Sequence, residues 1–205
     1  TDTQDGWRIS EMENSAYALL LRHDLRDYYR REGGSIYISH DIEHVLQITG
    51  KAALDNYSTL SNTVDWSLFG NRWGSRSQFR PNPAIQNGQM RSIQGQLYFD
   101  TRKKTHPTHR GWFTTLSAEK SGGFLQGDFN FERYQFDLRR YQPIAKGTRL
   151  DLRLRLGTAR GNLPNQVQYA LGGSGSLNGY AYKAFTGDRS AMFNIAYWLD
   201  GERHF

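Results

Sequence analysis

Three observations predict that this chain is all-β, built as an antiparallel up-and-down transmembrane β-barrel. Apolar and polar residues alternate with period two over one segment after another, which gives each face of an extended strand a single character. The sharpest case is TRLDLRLRLG, residues 148–157, with Leu150, Leu152, Leu154 and Leu156 on one face and Arg149, Asp151, Arg153 and Arg155 on the other. That division suits a strand between hydrocarbon and a watery, salt-bridged interior; a soluble sandwich strand also alternates, but its outward face is seldom so dense in arginine. Composition is the third observation: hydrophobic residues make up 37% and mean hydropathy is -0.74, yet aromatics reach 14% and there are 21 glycines. Such a balance fits either a soluble all-β protein or a barrel whose lipid face takes one residue in two, and it disfavours disorder.

Length and composition bound the alternatives. The 205 residues suit one domain, or part of a larger one, and we assign residues 1–205 to a single β-barrel domain with no dividing linker. No apolar run reaches the roughly 18 residues that a transmembrane helix needs. TDTQDGWRIS at the start has neither a basic opening nor an apolar core, so the sequence reads as mature, as a fragment or as cytosolic. Cysteine is absent, which removes disulfides and thiolate metal sites. The net charge of +6 attracts nucleic acid, anionic lipid or lipopolysaccharide; it equally suits arginines that line a wet lumen.

Along the chain, residues 14–30 read as a first strand, with Tyr17, Leu19, Leu21, Leu25 and Tyr29 in one row and Arg22, Asp24 and Arg26 in the other. Glu32, Gly33 and Gly34 supply a turn, after which residues 35–49 run back with Ile36, Ile38, Ile42, Leu46 and Ile48 on one face. Residues 52–60 and 63–69 could each hold a strand. Residues 71–88 read as a loop, with Pro81 and Pro83 near its end. Its Arg72, Arg76 and Arg80 with Trp73 and Phe79 could form a basic-aromatic nucleic-acid patch, but nothing else resembles such a module, and no nucleic-acid partner is expected.

Alternation resumes over residues 91–100, with Ile93, Leu97 and Phe99 on one side, and after a basic turn at 101–111 it returns over 112–120. Residues 131–141 place Tyr134, Phe136 and Leu138 opposite Asp137 and Arg139. Residues 142–147 then turn into the leucine–arginine strand already described. A last row, Ala191, Phe193, Ile195, Tyr197 and Leu199, is backed by Met192, Asn194, Ala196 and Trp198.

Chemistry is sparse. His40 and His44 have helical ligand spacing, but on a strand they lie about 13 Å apart at ~3.3 Å per residue, too far to share a zinc. No nucleophile elbow, phosphate loop or dinucleotide fingerprint is present, so no catalytic residue, metal or cofactor is expected, and the chain is not expected to be an enzyme. What stands out instead is LGGSGSLNGYAYKAFTGDR, residues 171–189. Its glycines free the backbone, and Leu177, Tyr180, Tyr182 and Phe185 supply apolar mass that a loop in water has little reason to carry. A loop so provisioned folds back onto something.

The segments FERYQFDLRRYQPIAKGTRLDLRLRLGTARGNLPNQ, YALGGSGSLNGYAYKAFTGDR and SAMFNIAYWL together resemble the C-terminal barrel region of the bacterial surface antigen superfamily, the BamA- and TamA-like outer-membrane barrels. The likeness is specific over residues 129–199 and only compatible in pattern upstream. In that family the glycine-rich loop is extracellular, folds into the lumen and carries a (V/L)RG(F/Y/W) motif whose arginine meets acidic and polar groups on the inner wall. Here Leu177, Gly179 and Tyr180 match the motif, Gly172 and Gly173 match the glycines before it, and Asn178 stands in place of the arginine. The following strand has Ala196 where relatives carry a glutamate, so both members of a charged pair are missing together.

The resemblance implies an inward-folding loop at residues 159–189 whose contact wall includes Asn194, Ala196, Trp198, Arg153 and Arg155. We expect the loop to be held there by aromatic packing and neutral hydrogen bonds. It further implies a multi-pass protein of the outer membrane of a Gram-negative bacterium. The implied role is insertion or translocation of proteins, or membrane anchoring. Outer-membrane lipid or lipopolysaccharide, unfolded outer-membrane proteins and barrel-completing chains are the implied partners. Family barrels have sixteen strands, four of them after this loop, whereas about eight to ten can be counted here. The chain is therefore a piece of a longer protein, a shortened barrel, or a wall completed by another chain. Phe205 resembles the terminal aromatic of outer-membrane proteins. Two alternative roles remain open at this stage: a barrel anchor for an enzyme domain outside this chain, and a soluble basic β-sheet module that binds an anionic polymer.

Overall fold

The computed structural model describes residues 6, 9–61, 65–69, 78–102, 110–145, 147–173 and 175–199. Among these residues one α-helix, α1 (Glu11–Leu21), precedes nine strands: β1 (Tyr29–Ile42), β2 (Leu46–Thr59), β3 (Gly88–Asp100), β4 (Gly111–Ser121), β5 (Phe131–Ala145), β6 (Thr148–Gly161), β7 (Tyr169–Leu171), β8 (Phe185–Gly187) and β9 (Arg189–Leu199). Seven of them form one sheet in the order β1-β2-β3-β4-β5-β6-β9, every neighbour antiparallel, while β7 and β8 make a separate ribbon. This is the up-and-down meander that the alternation predicts. The sheet does not close on itself among the described residues, and β1 and β9 are its outer strands. No helix there is long and apolar enough to cross a membrane. The seven strands are 11 to 15 residues long, enough for tilted crossings of a bilayer.

Register sorts the side chains into two faces. One carries Ile36, Ile38, Ile48, Leu54, Ile93, Leu116, Leu156, Phe193, Ile195 and Leu199, all of them exposed. A contiguous apolar belt of this kind has no place in water and is the expected surface against lipid. The other face carries Asp55, Glu119, Arg133, Asp137, Arg139, Asp151, Arg153 and Arg155 and, toward one end, the main apolar cluster: Tyr29, Tyr57, Met90, Phe129, Phe131, Ala159, Leu163, Val167 and Tyr169. The hairpin expected at 131–157 is β5 and β6, and the strands expected at 91–100, 112–120 and 191–199 are β3, β4 and β9.

The N-terminal quarter departs from the reading of its residues. Residues 11–21 are helical, not the start of a strand, because Ser10 caps them: its Oγ accepts from Glu13 N at 3.2 Å, and Arg22 closes the other end in a left-handed conformation. Ser10 and Glu13 have the spacing of a capping box, and they lie just outside the alternating window. Glu32, Gly33 and Gly34 do not turn; they run through β1. A Cβ at Gly33 would stand 2.0 Å from Leu54 O, so its glycine serves the close approach of β2. The turn falls at Glu43 and His44, both at positive φ, with Val45 N donating to Ile42 O at 3.1 Å, and it divides the single strand expected at 35–49. His40 therefore ends up on β1 and His44 in the turn. Residues 65–69 hold no strand; the rest of the segment expected at 63–69 lies outside the described residues, as do Arg72, Trp73, Arg76, most of the basic turn and Phe205.

Candidate functional site

The charged face is organised as ion pairs across and along the strands. Arg31 Nη2 meets Asp55 Oδ2 at 2.7 Å, Arg133 Nη2 meets Glu119 Oε2 at 2.8 Å, and Arg149 Nε meets Asp151 Oδ1 at 2.6 Å. At the centre Asp137, 2% exposed, accepts from three guanidinium groups: Arg139 Nε at 3.1 Å, Arg153 Nη2 at 2.6 Å and Arg155 Nη1 at 3.0 Å. Charges this deep persist only where such bonds are made. The leucine–arginine strand thus has its leucines on the apolar face and its arginines in this network.

Across this face lies the connection between β6 and β9. Its first part is fixed by Tyr169. The tyrosine ring lies against Gly157 of β6, where a Cβ would come within 2.6 Å of ring atom Cε1, and its hydroxyl reaches Tyr134 O at 2.7 Å and Thr158 O at 3.2 Å. Arg133 Nη1 adds a bond to Val167 O at 3.0 Å, and Gln166 pairs with the backbone of Gln86, donating from Nε2 at 3.0 Å and accepting at Oε1 from the amide at 3.2 Å. β7 and β8 then pair, and the glycine-rich tip between them folds on itself. Gly172 N donates to Ser176 Oγ at 2.9 Å, Gly173 N to Tyr180 O at 3.1 Å, and Tyr180 packs edge-on to Phe185 with centroids 5.3 Å apart. Gly172 needs its glycine, since φ is 118° and a Cβ would stand 2.3 Å from Ala181 O.

Beneath the loop is a cavity of about 680 Å³, lined by Asp27, Gln94, Gln96, Arg139, Arg155 and Lys183 among others. Asp27, in the segment between α1 and β1, is held there by Lys183 Nζ of the loop and Arg80 Nη2. Burial works to raise the Asp27 pKa, but Lys183 and Arg80 outweigh it and hold the carboxylate below its ordinary value.

Of the wall residues named from the sequence, Asn194 reaches the loop: its Nδ2 donates to Ser176 O at 3.0 Å. Arg153 and Arg155 bind Asp137. Ala196 is exposed opposite Asp151, and Trp198 is exposed beneath the Arg149 guanidinium, 5.7 Å from its ring centroid. Leu177 is half-buried, while Asn178, Gly179 and Tyr180 are exposed at the tip. Reasoning from the residues alone did not find Asp27, Lys183 or the Tyr169–Gly157 contact. For the last a signal existed: a glycine interrupting the charged row of a strand marks a place where something lies close.

The family model for the Omp85 superfamily domain matches residues 86–201, more than half of the chain. The chain belongs to the Omp85 superfamily. The Omp85 match takes in β3 to β6, the whole loop and β9, so the docked loop and its wall lie inside the family region. It agrees with the surface antigen resemblance and makes this an outer-membrane protein of the BamA and TamA kind. No curated protein matches the chain. Omp85 proteins are typically insertion or translocation proteins without chemistry of their own.

Proposed function

We propose that this Omp85 chain forms part of the wall of a multi-pass barrel in the outer membrane of a Gram-negative bacterium, and that it acts in inserting or translocating proteins there. Its apolar belt faces lipid and lipopolysaccharide, its charged face lines the lumen, and residues 159–189 fold inward as the lumen loop. The observation that carries the reading is the loop itself. A membrane anchor needs only the belt, whereas this connection has its own ribbon, a self-bonded tip and hydrogen bonds to the wall: Tyr169 donates to Tyr134 O, and Arg133 and Asn194 of the wall donate to Val167 O and Ser176 O of the loop. Unfolded outer-membrane proteins are the partners this role requires, and further strands or another chain must complete the wall, because unpaired strand edges are not tolerated in hydrocarbon.

The test is depletion of the protein from its native membrane, with quantitative proteomics of the outer-membrane fraction. Loss of a subset of barrel or secreted proteins supports the role; an unchanged fraction refutes it. The barrel reading is tested separately: the protein should fractionate with outer membranes and migrate differently in gels before and after heating. A chain that is soluble and monomeric without detergent overturns it.

A further inference from the structure

We propose that Lys183 and Asp27 form the charged lock of the loop, in place of the arginine absent at Asn178, so that the segment after α1 and the loop dock as one unit. The inference rests on the docked-loop reading above. Lys183 lies five residues beyond Asn178, and its own φ of 52° is left-handed, a conformation that a lysine adopts only where surrounding contacts hold it. Lys183 N donates to Gly172 O at 3.4 Å, so the lysine backbone is tied to the glycine turn while its side chain leaves the loop. The Nζ then bonds Asp27 Oδ2, across 156 residues of sequence. Both side chains are largely shielded, 21% and 18% exposed, which keeps the attraction from being screened away as it is at a surface.

Asp27 is in turn placed by its surroundings. Arg80 Nη2 bonds its other oxygen and also Arg26 O at 3.3 Å, and Asn82 brackets the next residue, accepting from Tyr28 N at 2.8 Å and donating to Tyr28 O. Asn14 of α1 fixes the same stretch, donating to Asp24 Oδ1 at 2.9 Å and Tyr28 Oη at 3.1 Å and accepting from Leu25 N at 2.9 Å. A carboxylate held this way gives a loop cation one defined place to dock. The lock therefore joins three connections, residues 22–28, 78–87 and 171–189, rather than pinning the loop to a strand.

Hydrogen exchange with mass spectrometry on the full protein in lipid nanodiscs tests this. Lys183→Gln and Asp27→Asn should each raise exchange over residues 171–187 about five-fold. The double variant should go no further, and Lys183→Arg should keep the wild-type rate. Because coupling is reciprocal, Lys183→Gln should also raise exchange over residues 22–28, a response that mere local loosening of the loop would not give. Additive single effects, or unchanged protection in both variants, would overturn the lock while leaving the docked loop intact. A wild-type loop that exchanges as fast as an unfolded peptide would overturn the docked-loop reading and the lock with it.

Discussion

Gly157→Ala tests the contact on which docking of the loop's first part depends; the methyl would also stand 2.8 Å from Ser190 Oγ, the end of a short side chain that can rotate away. The added methyl would lie 2.6 Å from Cε1 and 2.7 Å from Cδ1 of Tyr169, and the ring must retreat by about 0.8 Å to reach ordinary van der Waals contact at 3.4 Å. That displacement, directed along the bond, stretches the hydroxyl contact with Tyr134 O from 2.7 Å to about 3.5 Å, the outer edge of hydrogen bonding, and so weakens it. Overpacking costs ~1–3 kcal/mol and the weakened hydrogen bond up to ~1 kcal/mol, about 3 kcal/mol together, or on the order of a hundredfold in the ratio of docked to open loop. Tyr169→Phe, which loses only the hydroxyl, should cost about 1 kcal/mol. The assay is thiol labelling. The chain has no cysteine, so Val167→Cys, at a position 2% exposed beside the joint, is a unique probe whose maleimide reaction rate reports opening. Gly157→Ala should accelerate labelling strongly in the wild-type background and hardly at all with Tyr169→Ala, where no ring remains to displace. Equal acceleration in both backgrounds would refute the reasoning.

Asp137→Asn leaves Arg139, Arg153 and Arg155 without their shared carboxylate and should destabilise the barrel by ~3–5 kcal/mol, read as a lower temperature of heat-modifiable migration. Asp27 is depressed below its ordinary 3.8, so its contribution to loop docking is complete above that pH and is lost as pH falls through the lower folded value. Loop protection, taken relative to the intrinsic exchange rate at each pH, should therefore fall below pH ~4, a loss absent from Asp27→Asn. Phe193→Arg puts a cation on the apolar face and should cost up to ~2–4 kcal/mol of folding into bilayers, with Phe193→Leu near neutral; equal tolerance of both would count against a lipid-facing β9. Asn178→Arg should increase protease protection of the loop only together with Ala196→Glu, and independent effects in that cycle would dismiss the idea of a missing charged pair.

Period-two alternation made β3 to β6 and β9 legible, because each of these strands separates a lipid face from a charged one and the chain records the separation directly. The same criterion misread residues 14–30. Tyr17, Leu19 and Leu21 alternate by coincidence inside a helix whose start is written in Ser10 and Glu13. Gly33 and Gly34 were ambiguous for a different reason. Glycine serves both sharp turns and close strand contacts, and at Gly33 the position of Leu54 O distinguishes them, while a Cβ at Gly34 would meet nothing within 4 Å. The real turn, at Glu43 and His44, uses residue types that do not advertise positive φ. In the site, glycines and aromatics announced a folded-back loop. Its ionic partner could not be read, since Asp27 and Lys183 are brought together only by the path of the whole sheet.

Seven is an odd number, and that constrains what can stand beside this sheet. With every neighbour antiparallel, β1 and β9 point the same way. A second copy turned about an axis along the membrane normal would therefore offer its β1 to β9 in parallel, and a copy turned over to correct this would be upside down in the bilayer. A ring that stays antiparallel throughout needs an odd number of additional strands, of different sequence from those described. In such a ring, parity makes the added strands a complement of this sheet and not its duplicate.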